Sequence, residues 1–137
     1  MLAPILAAVL LLGPPSGPVQ VDVGRAEWGK MPPLKRVDRR LPTPDMVGQV
    51  EKMLASGECV LPRQRPEKFD ITVPYAVQVD PDGRPRRVVV AEAGCPALET
   101  YVGRLILAMA ARGDFKPTGE TRTRWFASAL NFNLKQR

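Results

Sequence analysis

Few residues in this chain are equipped for chemistry. Its 137 residues include no histidine and two cysteines, Cys59 and Cys95. The lack of histidine removes the commonest general base and the commonest metal ligand together. The cysteines stand 36 positions apart, so they form neither a CxxC redox pair nor a zinc-ligand cluster. The closest acidic pair is in Asp80-Pro81-Asp82-Gly83. Proline at the second position and glycine at the fourth mark a reverse turn, and the acids there are turn formers rather than metal ligands. No glycine-rich phosphate loop and no nucleophile–base pair can be written. The expectation is a protein with no catalytic residues, no cofactor and no metal.

Charge is the next constraint. Twenty Lys and Arg against 14 Asp and Glu leave a net charge of +6. Such an excess suits an acidic protein partner, an anionic membrane surface or nucleic acid. The basic residues are spread out, with Arg25, Lys30, Lys35, Arg36, Arg39 and Arg40 in one stretch and Arg84, Arg86 and Arg87 in another. No RNA-binding aromatic motif accompanies them, so nucleic acid is not the expected partner.

The elements that must position these residues begin with an apolar run of 11 residues, 2–12. As a helix it would rise about 16 Å, roughly half of a bilayer core. That is too short to span a membrane and suits the apolar region of a secretory signal peptide. Gly13, Pro14, Pro15, Ser16 and Gly17 follow, although no Lys or Arg precedes the run and no A-x-A site closes it. Residues 1–17 are read as the signal peptide. Residues 18–42 show no sustained period and combine prolines with six of the basic residues. They read as a weakly ordered basic tether, with Trp28 as a candidate anchor. Residues 43–137 form the single domain.

Within that domain, Thr43-Pro44-Asp45 starts a helix: a hydroxyl N-cap, proline at the first position and an acid in the first turn. Met46, Val47, Val50, Met53 and Leu54 share one face, and Gly57 ends the run. Phe69, Ile71, Val73, Tyr75, Val77 and Val79 then alternate as a half-buried strand. After the turn, residues 86–92 make a second strand rich in β-branched residues. Pro96 opens a second helix with Leu98, Tyr101, Val102, Leu105, Ile106 and Met109 as its apolar stripe. Residues 124–134 alternate again, with Phe126, Ser128, Leu130, Phe132 and Leu134 on one face.

The order helix-strand-strand-helix-strand predicts an α+β fold of two layers. A hairpin pairs the first two strands, and a helical crossover returns the last strand parallel to the second. A three-stranded antiparallel sheet follows, with the first strand central, the last on an edge and both helices on one face. Pro74 conflicts with a central strand unless pairing with the last strand starts beyond it or it marks a bulge. Cys59 precedes the first strand and Cys95 caps the second helix. In an exported protein a disulfide between them would add on the order of 3–4 kcal/mol. Two free structural thiols are the alternative.

Taken together, residues 73–134 resemble the C-terminal domain of the TonB family of periplasmic proteins in Gram-negative bacteria. The resemblance is carried by VQVDPDGRPRRVVV, by the helix opening Ala93-Gly94-Cys95-Pro96-Ala97-Leu98-Glu99, by GDFKPTG and by the final NFNL. It implies binding rather than catalysis. An extended peptide of an envelope or outer-membrane protein would add a strand to the edge of the sheet. On the predicted edge, the residues nearest such a peptide are Trp125, Ala127, Ala129 and Asn131. A homodimer through the same edge is a further expectation. Unlike a motor-coupled transducer, this chain has a short apolar run and about 25 residues of tether, which fits a stand-alone periplasmic adaptor. The alternative is a structural envelope protein whose basic tether meets anionic lipid or cell-wall polymer peripherally.

Overall fold

The computed structural model describes residues 19–60 and 69–134. The expected signal peptide, residues 1–17, lies outside the described residues. Among the described residues, four strands and two α-helices make an α+β fold: β1 (Gln20–Gly24), α1 (Pro44–Ala55), β2 (Phe69–Val79), β3 (Pro85–Ala91), α2 (Pro96–Ala111) and β4 (Arg124–Leu134). None of the described helices is long and apolar enough to cross a membrane.

The sheet is mixed, in the order β1-β3-β2-β4. As expected, β2 is central and antiparallel to both β3 and β4, and β4 lies on an edge. The three-stranded, wholly antiparallel expectation is corrected by β1, which pairs parallel with β3 from Gln20↔Arg87 to Gly24↔Ala91. Its signal is the alternation of Val19, Val21 and Val23, too short to stand out between prolines and charges. Packing decides it. Gly103 of α2 presents no side chain to β1, and a Cβ there would stand 3.1 Å from Val21 Cγ1.

Pro74 behaves differently from either expectation. The β2–β4 register runs unbroken through Pro74↔Ala129. It is the β3 pairing that begins only after the proline, at Tyr75↔Val90. On that side there is no ladder for Pro74 to interrupt. The register shift lies at the other end of β2, where Val79 faces Pro85 after Gln78 faces Arg87.

Each helix starts as its sequence dictates. Thr43 Oγ1 accepts the Met46 N–H at 3.4 Å, with Pro44 in the first turn. At α2, Cys95 is the N-cap, and Glu99 Oε2 accepts the N–H groups of Ala93 at 2.6 Å and Gly94 at 3.1 Å. That carboxylate satisfies two backbone donors ahead of the helix. Val50 and Met53 of α1, and Leu98, Val102, Ile106 and Met109 of α2, are buried in one core with Val73, Tyr75, Val77, Leu130 and Phe132. Each large apolar side chain so buried contributes about 1.5–3 kcal/mol. Tyr101 and Leu105, at the margins of the expected stripe, are half-buried.

Residues 19–42 are not a loose tether. After β1 the chain forms a 3-10 turn at Trp28–Lys30, which packs against β2 and β4. Ala76, whose side chain points away from the helices, is 1% exposed as a result. The chain then reaches the outer side of β4, where Pro33 bridges Ala127 in parallel. Next it turns along the loop after α2, where Arg36 bridges Phe115 antiparallel. This strap joins β1, at one edge of the sheet, to α1 on the helical face.

Candidate functional site

The candidate site is the outer edge of β4. Side chains of Phe126, Leu130, Phe132 and Leu134 alternate into the core, which leaves the odd-numbered residues on the other face. Backbone direction alternates too. Ala127 donates its N–H to Pro32 O at 3.0 Å and accepts the Leu34 N–H on its carbonyl at 2.8 Å. Both of its backbone groups therefore point outward, and by alternation so do those of Trp125, Ala129, Asn131 and Asn133.

The four residues expected to meet a peptide thus share one row, but they are not equivalent. Ala127 is already engaged by the strap. Beyond it, among the described residues, no segment pairs with the outer side of Ala129, Asn131 or Asn133. The Asn131 side chain is held on the sheet by Thr72 Oγ1, 3.3 Å from its Oδ1. What remains is a short row of donors and acceptors, bounded on one side where the strap wraps the edge. Such a row is what an added strand requires. The occupancy at Ala127 was not legible in the sequence, because residues 32–34 and 127 are distant in the chain.

The strap is anchored beside this edge by polar contacts from the loop after α2. Val37 N–H donates to the Asp114 carbonyl at 2.7 Å and Asp38 N–H to Asp114 Oδ1 at 2.7 Å. Lys116 N–H donates to Lys35 O at 3.0 Å. Asp114 is 5% exposed, and among the described residues its Oδ2, Arg36 Nη1 and Tyr75 Oη are buried without a hydrogen-bond partner. Burial pushes the Tyr75 phenol above its ordinary range, with the Arg36 charge opposing.

The two acids of the turn are structural. The Thr123 hydroxyl donates to Asp80, and Arg86 Nε reaches both Asp80 oxygens at 2.9 and 3.0 Å. These contacts, the hydroxyl first, hold the Asp80 carboxyl below its usual value. Asp82 accepts the Arg84 N–H at 3.1 Å and pairs with the Arg84 guanidinium at 3.2 Å. Asp38 is likewise held low by hydrogen bonds from Arg40.

Cys59 and Cys95 form a disulfide, with Cα atoms 5.4 Å apart. Gly57 takes a positive φ of 78° after α1 and turns the chain back, so that Cys59 N–H bonds Met53 O at 3.0 Å. Next to the disulfide, a groove of about 360 Å³ between the helices is lined by Gln49, Met53, Glu58, Pro96, Thr100 and Tyr101 among others. Among the described residues, no group of three His, Cys, Asp or Glu side chains is placed to hold a metal ion. Compared with family models, with curated proteins and with solved structures, the chain matches none of them.

Proposed function

We propose that this chain is a β-augmentation module, a non-enzymatic adaptor whose β4 edge receives an extended peptide between Ala129 and Asn133. On this reading it works in the periplasm of a Gram-negative bacterium, as its resemblance to the TonB C-terminal domain implies. The peptide belongs to an envelope or outer-membrane protein. A single observation carries the reading. The row of outward backbone groups on β4 is taken at Ala127 by an extended segment of the chain itself, through two hydrogen bonds, and beyond it continues unpaired among the described residues. The edge is therefore shaped to hold a strand. Backbone bonds would supply affinity, and the side chains of Ala129 and Asn131 selectivity.

The test combines capture with amide exchange. Wild-type protein should retain a partner from envelope extract, and that partner should slow exchange at the Ala129, Asn131 and Asn133 amides. Ala129→Pro removes one of those donors and should abolish the capture. Equal capture by both proteins overturns the reading. So does a bound partner that leaves the three amides unprotected. A self-associated protein whose β4 amides are already protected would instead assign the edge to a homodimer.

A further inference from the structure

Basic residues that are scattered along the sequence converge at the end of α2. The strap and the loop run antiparallel through Arg36↔Phe115, bound by Val37 N–H to Asp114 O and Lys116 N–H to Lys35 O. Along the strap exposure alternates from residue 33 to residue 39. Arg36, Asp38, Asp114 and Phe115 turn inward or are half-covered, whereas Lys35, Val37, Arg39 and Lys116 face solvent. Arg112, the C-cap of α2, is exposed and close enough to act electrostatically on Asp38. Among the described residues, Lys35, Arg39, Arg112 and Lys116 have no ion-pair partner within 4.0 Å, whereas Arg40 is paired with Asp38. The local acids are thus spent, with Asp38 on Arg40 and Asp114 buried beneath the strap. Val37, 64% exposed, stands among the four unpaired cations.

We propose that this surface docks the protein on a membrane of anionic lipid. The four unpaired cations would approach lipid phosphates while Val37 enters the headgroup layer. The attraction falls off within a Debye length, so it requires several cations held on one surface rather than net charge alone. An exposed apolar side chain among cations also suits a lipid interface better than a purely hydrated polyanion.

The experiment is sedimentation of the full chain with vesicles of phosphatidylcholine alone, and of phosphatidylcholine with phosphatidylglycerol. The apolar residues 2–12 would insert irrespective of headgroup charge, so the difference between vesicle types is the readout. Partitioning should be higher on vesicles with phosphatidylglycerol, and that excess should weaken with salt. Lys35→Gln with Arg39→Gln, and Arg112→Gln with Lys116→Gln, should each reduce partitioning about 25-fold, about five-fold per cation. Lys52→Gln with Arg104→Gln removes the same charge from exposed positions on the two helices, on folded protein verified by circular dichroism, and should leave partitioning unchanged. An equal loss in that control, equal binding to both vesicle types, or binding to dextran sulfate with no excess on phosphatidylglycerol vesicles would each overturn the proposal.

Discussion

The carbonyl of Ala127 accepts the N–H of Leu34 at 2.8 Å, across a gap of more than ninety residues in the chain. Through this bond and its return, from Ala127 N–H to Pro32 O at 3.0 Å, the segment between β1 and α1 closes around the sheet. The strap sets one end of the row on β4 that is left open among the described residues. It also carries Lys35, Val37 and Arg39 to the loop after α2. Peptide edge and basic surface therefore depend on the same contact.

That contact predicts an uneven pattern of amide exchange along β4. In the isolated protein the Ala127 amide should exchange slowly, and those of Ala129 and Asn131 fast. Leu34→Pro removes the donor to Ala127, and should cost about 1–2 kcal/mol of stability and speed exchange at Ala127. Uniform exchange along the odd-numbered residues would show that the strap does not hold the edge.

The disulfide closes the chain from the end of α1 to the start of α2, with a sequence separation of 36. Its reduction, or replacement of both Cys59 and Cys95 by alanine, should lower unfolding free energy by on the order of 3–4 kcal/mol. Denaturant titration with and without reductant measures this. An unchanged midpoint would mean that the bond does little beyond what packing already achieves.

Gly83 tests how the turn meets the loop after α2. Its φ is +93°, and a Cβ there would stand 2.7 Å from the Phe115 carbonyl oxygen. Gly83→Ala therefore combines backbone strain with a clash against backbone, and should cost about 1–3 kcal/mol. Gly57→Ala is the comparison. It carries a positive φ of 78° but has nothing within 4 Å of the new carbon, so its cost should be the smaller. Equal thermal shifts for the two would contradict the close approach.

Asp80 predicts an acid-side dependence. Its folded pKa is lowered by the Thr123 hydroxyl and by Arg86. Its contribution to stability is therefore complete above the unfolded carboxyl value of about 3.9 and is lost as pH falls from there through the folded value. Thr123→Val should raise the Asp80 pKa, seen by carboxyl-carbon titration in NMR, and flatten this part of the stability profile. An Asp80 titration unchanged in the variant would leave the charges of Arg86 and Arg84 as the cause.

Local chemistry was legible wherever neighbours in the chain decide the structure. Thr43 and Pro44 start α1, Pro96 starts α2, Asp80 to Gly83 make the turn, and alternation marks β2, β3 and β4. The central place of β2 followed from element order, whereas the Cys59–Cys95 bond was expected only on the reading of an exported chain, with two free thiols as the alternative. A five-residue strand such as β1 carries too few alternations to be read unaided. It forms because α2 brings Gly103 over Val21 and because β3 offers an open edge.

The sequence by itself determined the two helices, the β2–β3 hairpin, the last strand and the row to which Trp125, Ala127, Ala129 and Asn131 belong. Tertiary structure alone decided that Ala127 is occupied, that residues 19–42 form a strand and a strap, and that Lys35 and Arg39 stand beside Arg112 and Lys116. The physical reason is one of range. Capping, turn geometry and side-chain period act over a few residues, whereas an edge bond or a charge cluster depends on segments that meet only when the core has closed.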